Sequence, residues 1–446
     1  MILLSFTVRN HKSIRDELTL DFTRPSLRTL QPKQGDSWRK HVYPLAGIFG
    51  ANATGKSAVL DALLYTFSAI RHSATSWQAE RHMMRAPFVL DEASAQATSM
   101  YELDFVSGGR RHLYGFEVDA TGVSREWLRD VPSTRWRTLI ERDRGDDTLK
   151  LHASVRTMGD VTQRELVLSR ALLLDHPQLA PVARDLETSF DLVSVKDVHR
   201  ERRLDSIADA LMEGSITFDD IVTLLQIADI GIEDVTVQEE DLPKKFREAL
   251  REFRRKLMSP DDATPDVESD HKGHSKDELG DEESDAVVRS LLFRHRGSPS
   301  DGPGFHIGDE SDGTIAWLAL MVPALEILRN GGLYCADEID SSLHPHLLDV
   351  ILGIFADVAL NPKGAQLLFT SHDTYILSPL GDIELEPEQV WFTDKTVDGV
   401  TELTCLAEFP RHRDANVARR YLLGRYGGTP RLAPSSLAAL LQVKDS

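Results

Sequence analysis

Apolar positions along this chain fall into two periods. Ile2, Leu4, Phe6 and Val8 alternate with other residues, as on a half-buried strand. Asn10-His11-Lys12-Ser13 reads as a turn, and Leu18 to Phe22 as a second strand of a hairpin-like pair. The continuous run Tyr43 to Phe49 predicts a buried strand, and Ala58 to Leu64 carries helical spacing. A polar helix is expected over Ala69 to Arg85. Alternation returns at Tyr101, Leu103 and Phe105, turns at Gly108-Gly109, and resumes at His112, Tyr114, Phe116 and Val118. Trp136 to Glu141 and Leu149 to His152 continue it, predicting a small antiparallel sheet. From Gln163 to about Met258 the spacing is helical, with Leu166, Leu168, Leu172, Leu173 and Leu174 first and Ile221, Leu224, Leu225 and Ile227 later. A short strand at Ile230 to Val237 interrupts it. Ser259 to Asp285 has many acids and almost no large apolar residues, the composition of a disordered or mobile loop. Val287 to Phe293 reads as a strand re-entering the core.

Between the Tyr43 run and the Ala58 helix lies Gly50-Ala51-Asn52-Ala53-Thr54-Gly55-Lys56-Ser57. Strand, G-x-x-x-x-G-K-[ST] loop and helix together make a phosphate cradle. Glycines at 50 and 55 permit backbone angles that let successive N–H groups converge on phosphate oxygens, and the helix start adds partial positive charge. The candidate nucleotide-binding residues are Gly50, Asn52, Ala53, Thr54, Gly55, Lys56, Ser57 and Ala58. Lys56 supplies a point charge for the β- and γ-phosphates, and Ser57 offers its hydroxyl to Mg²⁺. Lys12 could reach the nucleotide from its turn or be a plain exposed lysine.

A second constellation lies far downstream. Leu333-Tyr334-Cys335-Ala336-Asp337-Glu338 is an apolar strand ending in two carboxylates. Asp337 would hold Mg²⁺ opposite Ser57, and Glu338, on the other side of an extended chain, would polarise the attacking water. Ala365 to His372 is another buried strand, ending in a histidine able to hydrogen-bond a γ-phosphate. Upstream, Ser311-Asp312-Gly313-Thr314 opens the apolar helix Ile315 to Leu328. There Ser311 serves as N-cap or, with Gly313, as an anion-binding start.

Composition narrows the rest. The 446 residues suffice for two or three domains, or for one core carrying a large insertion. A formal net charge of −20 argues against clasping nucleic acid with the whole surface. His199-Arg200-Glu201-Arg202-Arg203 and Arg251 to Lys256 carry interspersed acids and read as solvated helix faces. The two cysteines, Cys335 and Cys405, form no disulfide framework or metal-ligand spacing, and Cys335 reads as a small buried hydrophobe. His271 and His274 have metal-compatible spacing but no accompanying ligands, so a solvated pair is the reading. No run approaches a transmembrane helix and the N-terminus lacks a signal peptide, so a cytoplasmic protein with no membrane contact is expected.

In the order glycine loop, Ser-Gly helix start, Asp-Glu strand end, Ser-Leu-His-Pro turn and terminal His, the chain resembles AAA-family ATPases of ABC type, of the SMC and RecF kind. More closely, it is similar to the abortive-infection phage-defence ATPases of the RloA/AbiL type. That similarity rests on Asp337-Glu-Ile-Asp-Ser-Ser-Leu-His-Pro345, Asn361 to Gln366, Ser371 to Thr374, Val390-Trp-Phe-Thr393 and Tyr421-Leu-Leu-Gly-Arg-Tyr-Gly427. The resemblance implies an α/β fold: a P-loop head of ABC/SMC type, a mixed sheet with an antiparallel β subdomain and a helical insertion. Its halves would be 1–160 and 286–446, with the insertion at 161–258 and an acidic loop at 259–285. It also implies that Ser311 and Gly313 contact the γ-phosphate held by a second subunit, in a homodimer or higher homo-oligomer. Ser341 and Ser342 would communicate across that interface, and His372 would be the switch histidine. Asp312 stands where those families commonly have a second glycine, and Thr314 where they have Gln or Glu. The metal-proximal glutamine of such heads could be Gln163 or Gln178. About seventy residues follow His372, too few for a nuclease domain, so a nuclease or toxin effector is expected as a separate protein. The activity implied is Mg²⁺-dependent ATP hydrolysis controlling that effector. A DNA-repair ATPase of RecF type and a slow-turnover ATP-dependent scaffold stay as alternatives.

Overall fold

The computed structural model describes residues 1–80, 82–155, 159–194, 207, 210–212, 214–228, 232–241, 287–296, 304–306, 311–410 and 416–429. The basic stretches at 199–203 and 251–256, the acidic loop at 259–285, and His271 and His274 lie outside the described residues. The chain divides into two compact units, Met1–Arg200 with Ala316–Ser446, and Glu201–Ile315.

The first unit contains two sheets. One is antiparallel, built from β1 (Ile2–Arg9), β2 (Leu18–Asp21), β4 (Ser99–Ser107), β5 (Arg110–Asp119), β6 (Gly122–Asp130), β7 (Arg137–Asp143) and β8 (Thr148–Leu151), in the order β2-β1-β4-β5-β6-β7-β8. The expected alternation produces it: Phe6, Val8, Tyr101, Leu103, Tyr114 and Phe116 are all buried. The other sheet has the order β16-β15-β3-β14-β13-β9. Its strands are β3 (Leu45–Phe49), β9 (Phe190–Ser194), β13 (Leu333–Asp337), β14 (Gln366–Ser371), β15 (Val390–Lys395) and β16 (Thr401–Cys405). Every residue of β3, β13 and β14 is buried, the continuous apolar run typical of parallel strands covered on both faces. Cys335 sits in that interior, where burial pushes its thiol pKa well up.

Helix α1 (Lys56–His72) joins the two sheets, and one apolar cluster runs from Leu3 and Phe6 through Val59, Leu63 and Phe67 to Cys335 and Leu368. A buried amide links the same layers. Gln366 Oε1 accepts the N–H of Leu3 at 2.6 Å while its Nε2 donates to Leu3 O at 2.8 Å.

Three expectations change. The helix expected from Ala69 to Arg85 stops at His72, followed by a 3-10 turn at Ser76–Ala79. The Ser73 hydroxyl is taken by the N–H of Leu166, and the N–H of Ala74 donates to Ser169 Oγ. These bonds bend the chain onto its neighbours. The segment from 161 to 194 belongs with the first unit rather than with an insertion. After α2 (Glu92–Gln96), helices α3 (Val167–Leu173) and α4 (Ala180–Thr188) pack on α1, and β9 extends the parallel sheet beside β13. The carboxylate of Glu126, fully buried, accepts from the N–H groups of Val167 and Leu168 and so caps α3. Phe190 stacks on Phe67 with centroids 4.1 Å apart. Finally, the strand at Val287 pairs within the second unit instead of re-entering the core. There β10 (Ile232–Asp241), β11 (Val287–His295) and β12 (Phe305–His306) form a three-stranded antiparallel sheet with α5 (Phe218–Ala228). Ile221, Leu225, Ile232, Val235 and Phe293 are buried in that unit.

Candidate nucleotide site

Parallel pairing decides where the chemistry lies. β14 is hydrogen-bonded to β3 on one side and to β13 on the other, with Ser371 opposite Phe49 and Phe369 opposite Ala336. All three strands therefore end at one edge, where α/β sheets place their ligands. The glycine loop, the Asp337-Glu338 pair and His372 leave from that edge.

In the loop, Ala53 has φ 65° and Gly55 φ 110°, so the backbone curls into a left-handed turn before α1 begins at Lys56. A side chain at 55 would be strained at that angle and would strike Thr401 of β16. Asn52 and Ala53 are exposed at the tip. Thr54 is buried, its hydroxyl 2.7 Å from that of Thr393 and 2.9 Å from Ala51 O. Lys56 is 5% exposed, and its Nζ donates to Gly50 O at 2.8 Å and Ala51 O at 3.1 Å, 3.2 Å from His372 Nδ1. Ala58 is buried, its N–H donating to Gly55 O at 3.0 Å.

Ser57 Oγ lies 3.0 and 2.9 Å from the two carboxylate oxygens of Asp337. Thr370 donates to Asp337 Oδ1 at 2.7 Å and accepts the N–H of Glu338 at 2.8 Å. β13 ends at Asp337, and Glu338 takes φ 59°. A sharp turn, not the alternation of an extended strand, therefore sends the two carboxylates different ways, which corrects the expectation. Glu338 Oε1 lies 3.8 Å from His372 Nε2. An ammonium only donates, so His372 accepts from Lys56 through Nδ1, and in the neutral ring Nε2 carries the proton toward Glu338. Asp340 accepts the N–H of His372 at 3.3 Å. Ser341 closes the turn with its N–H on Glu338 O at 2.9 Å, and Ser342 has φ 64°.

A cleft of about 350 Å³ opens beside Ser57 and Asp337, lined also by Lys12, Ser13, Asp61, Leu192 and Ser194. Lys12 thus borders the candidate site, with its Nζ 2.6 Å from Asp61 Oδ1 on α1. Burial would raise the pKa of the Asp61 carboxyl, but hydrogen bonds from His11 and Lys12 hold it below the usual range. Among the described residues lining the cleft there is neither Gln163 nor Gln178. The strand position beside Asp337 belongs to Ser194.

Ser311 and Gly313 stand at the start of α6 (Asp312–Asn330), in the second unit. Ser311 Oγ accepts the N–H of Thr314 at 3.1 Å and lies 2.7 Å from its hydroxyl, an N-cap arrangement. α7 (Pro345–Ala356) follows the acidic turn and is capped by His344.

Residues 45–378 match the family described as "AAA domain, putative AbiEii toxin, Type IV TA system". The chain belongs to this AAA-domain family. Its fold, a mixed α/β one with a parallel and an antiparallel sheet, carries the AAA domain of that family. A solved structure titled "Structure of the recombination mediator protein RecF-ATPrS in RecFOR pathway" is similar to 90% of this chain and 97% of its own, at 12% identity and a TM-score of 0.37. No curated protein matches the chain. Among the described residues no helix is long and apolar enough to cross a membrane, and no group of three or more His, Cys, Asp or Glu could hold a metal ion.

Several side chains of this AAA-domain site escape sequence reading. In the sequence Thr370 is only part of the apolar strand before His372, and Ser194 falls inside the segment with helical spacing. Thr401 was unmarked, although its hydroxyl lies 2.9 Å from Thr54 O and 2.8 Å from Ser13 Oγ.

Proposed function

We propose that this chain is an Mg²⁺-dependent ATPase subunit that controls a separate effector, a nuclease or toxin, in an anti-phage abortive-infection system. The observation that carries the reading is the convergence of Lys56, the Ser57–Asp337 pair and the Glu338–His372 pair at one sheet edge. The residues fit the groups. The Lys56 ammonium leans on backbone carbonyls in the hollow of the loop, a weaker set of acceptors than phosphate oxygens. Ser57 and Asp337 form a hard-oxygen pair suited to Mg²⁺, which takes few protein ligands and keeps waters and phosphates as the others. The bound ion would neutralise charge on the phosphates.

Lys56 then holds the phosphate chain, Asp337 and Ser57 hold the metal, and Glu338 orients a water for attack. His372 contacts the transferred phosphoryl group through its ring, its backbone held by Asp340 and its Nδ1 beside Lys56. Ser311 and Gly313 of a second copy complete the site, so ATP occupancy promotes a homodimer. The family's description names a putative toxin of a type IV toxin–antitoxin system, and a two-component system of that kind supports work with a separate partner protein. The protein would work in the cytoplasm.

The test is steady-state ATPase activity of wild type and Glu338→Gln, with and without the neighbouring gene product. The variant should turn over about a hundredfold or more slower yet bind ATP. Equal turnover would remove the role of Glu338. Stimulation by DNA rather than by the partner would favour a repair ATPase, and slow turnover under every condition a scaffold.

A further inference from the structure

The run Tyr421 to Gly428 has no part in the phosphate chemistry, yet it touches the glycine loop directly. α8 (Val417–Leu422) is capped by Asn416, whose side chain accepts the N–H of Arg419 at 2.8 Å. Tyr421 and Tyr426 both stack on the ring of Phe392 on β15, with centroids 5.3 and 5.0 Å away and planes 18° and 12° apart. Stacked rings of this kind hold a short segment firmly. They deliver the carbonyl of Gly428 to the N–H of Ala51 at 2.5 Å, and the Tyr421 hydroxyl donates to the same carbonyl at 3.2 Å.

That contact falls on an informative peptide. The N–H of Ala51 and the carbonyl of Gly50 belong to one planar unit and point in opposite directions. Gly428 holds one edge and the Lys56 ammonium holds the other, at 2.8 Å from Gly50 O. Gly428 has φ 65°, and a Cβ there would stand 2.7 Å from Thr393 O and 3.3 Å from Gly50 Cα. Three backbones therefore meet with no side chain between them.

We propose that Tyr421–Gly428 is a positioning element of the nucleotide site: Gly428 fixes the Gly50–Ala51 peptide, and through it the resting place of Lys56, so that nucleotide binding and docking of this segment are coupled. The inference rests on the reading of the loop as an ATP site. When the ammonium turns to phosphate, Gly50 O loses that donor, and the hold of Gly428 keeps the peptide from rotating. By linkage, a nucleotide that needs the docked segment must stabilise it in return.

The full chain tests this. Tyr421→Phe keeps the ring stack and removes one hydrogen bond to Gly428, so affinity for a fluorescent ATP analogue with Mg²⁺ should fall about threefold. Gly428→Ala, strained at its angle and crowded against Thr393, should lose about tenfold or more. A purely structural role would not respond to nucleotide, so the deciding readout is amide hydrogen exchange over residues 417–429 with and without AMP-PNP and Mg²⁺. Exchange should slow in wild type and stay unchanged in Lys56→Ala. Nucleotide binding with unchanged exchange there and undiminished affinity in Tyr421→Phe would overturn the inference while sparing the ATP site. Failure of wild type to bind nucleotide would overturn both.

Discussion

The hydroxyl of Thr370 sits 2.7 Å from Asp337 Oδ1 and also receives the N–H of Glu338 at 2.8 Å. One side chain on the central strand thus sets the direction of the candidate metal ligand and of the backbone that carries the candidate base. Thr370→Val keeps the shape and removes both bonds. Turnover should fall about tenfold while ATP affinity changes less than threefold, as measured by steady-state kinetics and by titration with a fluorescent analogue. Equal losses in both would mean that the hydroxyl serves binding rather than the step after it.

Lys56→Ala removes the only side-chain cation of the loop itself. Nucleotide affinity should drop a hundredfold or more by isothermal titration, because a charge-assisted contact to phosphate has no substitute in the loop. Affinity equal to wild type would contradict the cradle.

The amide of Asn10 organises the turn that presents Lys12. Its Nδ2 donates to the carbonyls of Ser94, Ala97 and Thr98 at 2.8, 3.1 and 3.2 Å, and its Oδ1 accepts the N–H of Phe88 at 2.9 Å. Asn10→Ala takes that partner from the buried N–H of Phe88 and from three part-buried carbonyls, and should cost roughly 1–3 kcal/mol in urea unfolding. A loss below 0.5 kcal/mol, on the order of a surface change, would show that the turn holds itself.

His112 lies buried against the ring of Phe105, centroids 5.4 Å apart. Burial pushes its imidazole below the ordinary 6.5, while the Arg110 carbonyl and Asp130 pull the other way. The unfolded chain therefore takes up this proton first. The contribution to stability is complete above about pH 6.5 and is lost as pH falls toward the lowered folded value. Between pH 7.5 and 5.5 wild type should lose more stability than His112→Asn, compared by urea midpoints. Parallel pH slopes would refute the assignment.

What the sequence disclosed, and what it hid, follows from distance along the chain. The strand before Gly50, the acidic strand end and the strand before His372 each carry their signal within a few residues, and their union needs only parallel pairing. The 161–194 segment reads as helical because α3 and α4 have helical spacing, but nothing local says that their apolar faces meet α1 or that Phe190 opens an edge strand. The helix end at His72 depends on Ser73 meeting Leu166, 93 positions away. Thr370 and Thr401 look like ordinary strand residues, and only the neighbours brought by the sheet give them work. The Tyr421 to Gly427 run is visible as a motif, whereas the contact of the next residue, Gly428, with Ala51 is not.

The paired bonds between Gln366 and Leu3 have a mechanical consequence. A side-chain amide here does what a neighbouring strand would do, riveting β1 of the antiparallel sheet to the parallel sheet at the buried foot of β14. Swivelling at that joint would strand two backbone groups away from water, so any displacement of β14 would reach the antiparallel sheet as rigid movement, not as hinge bending.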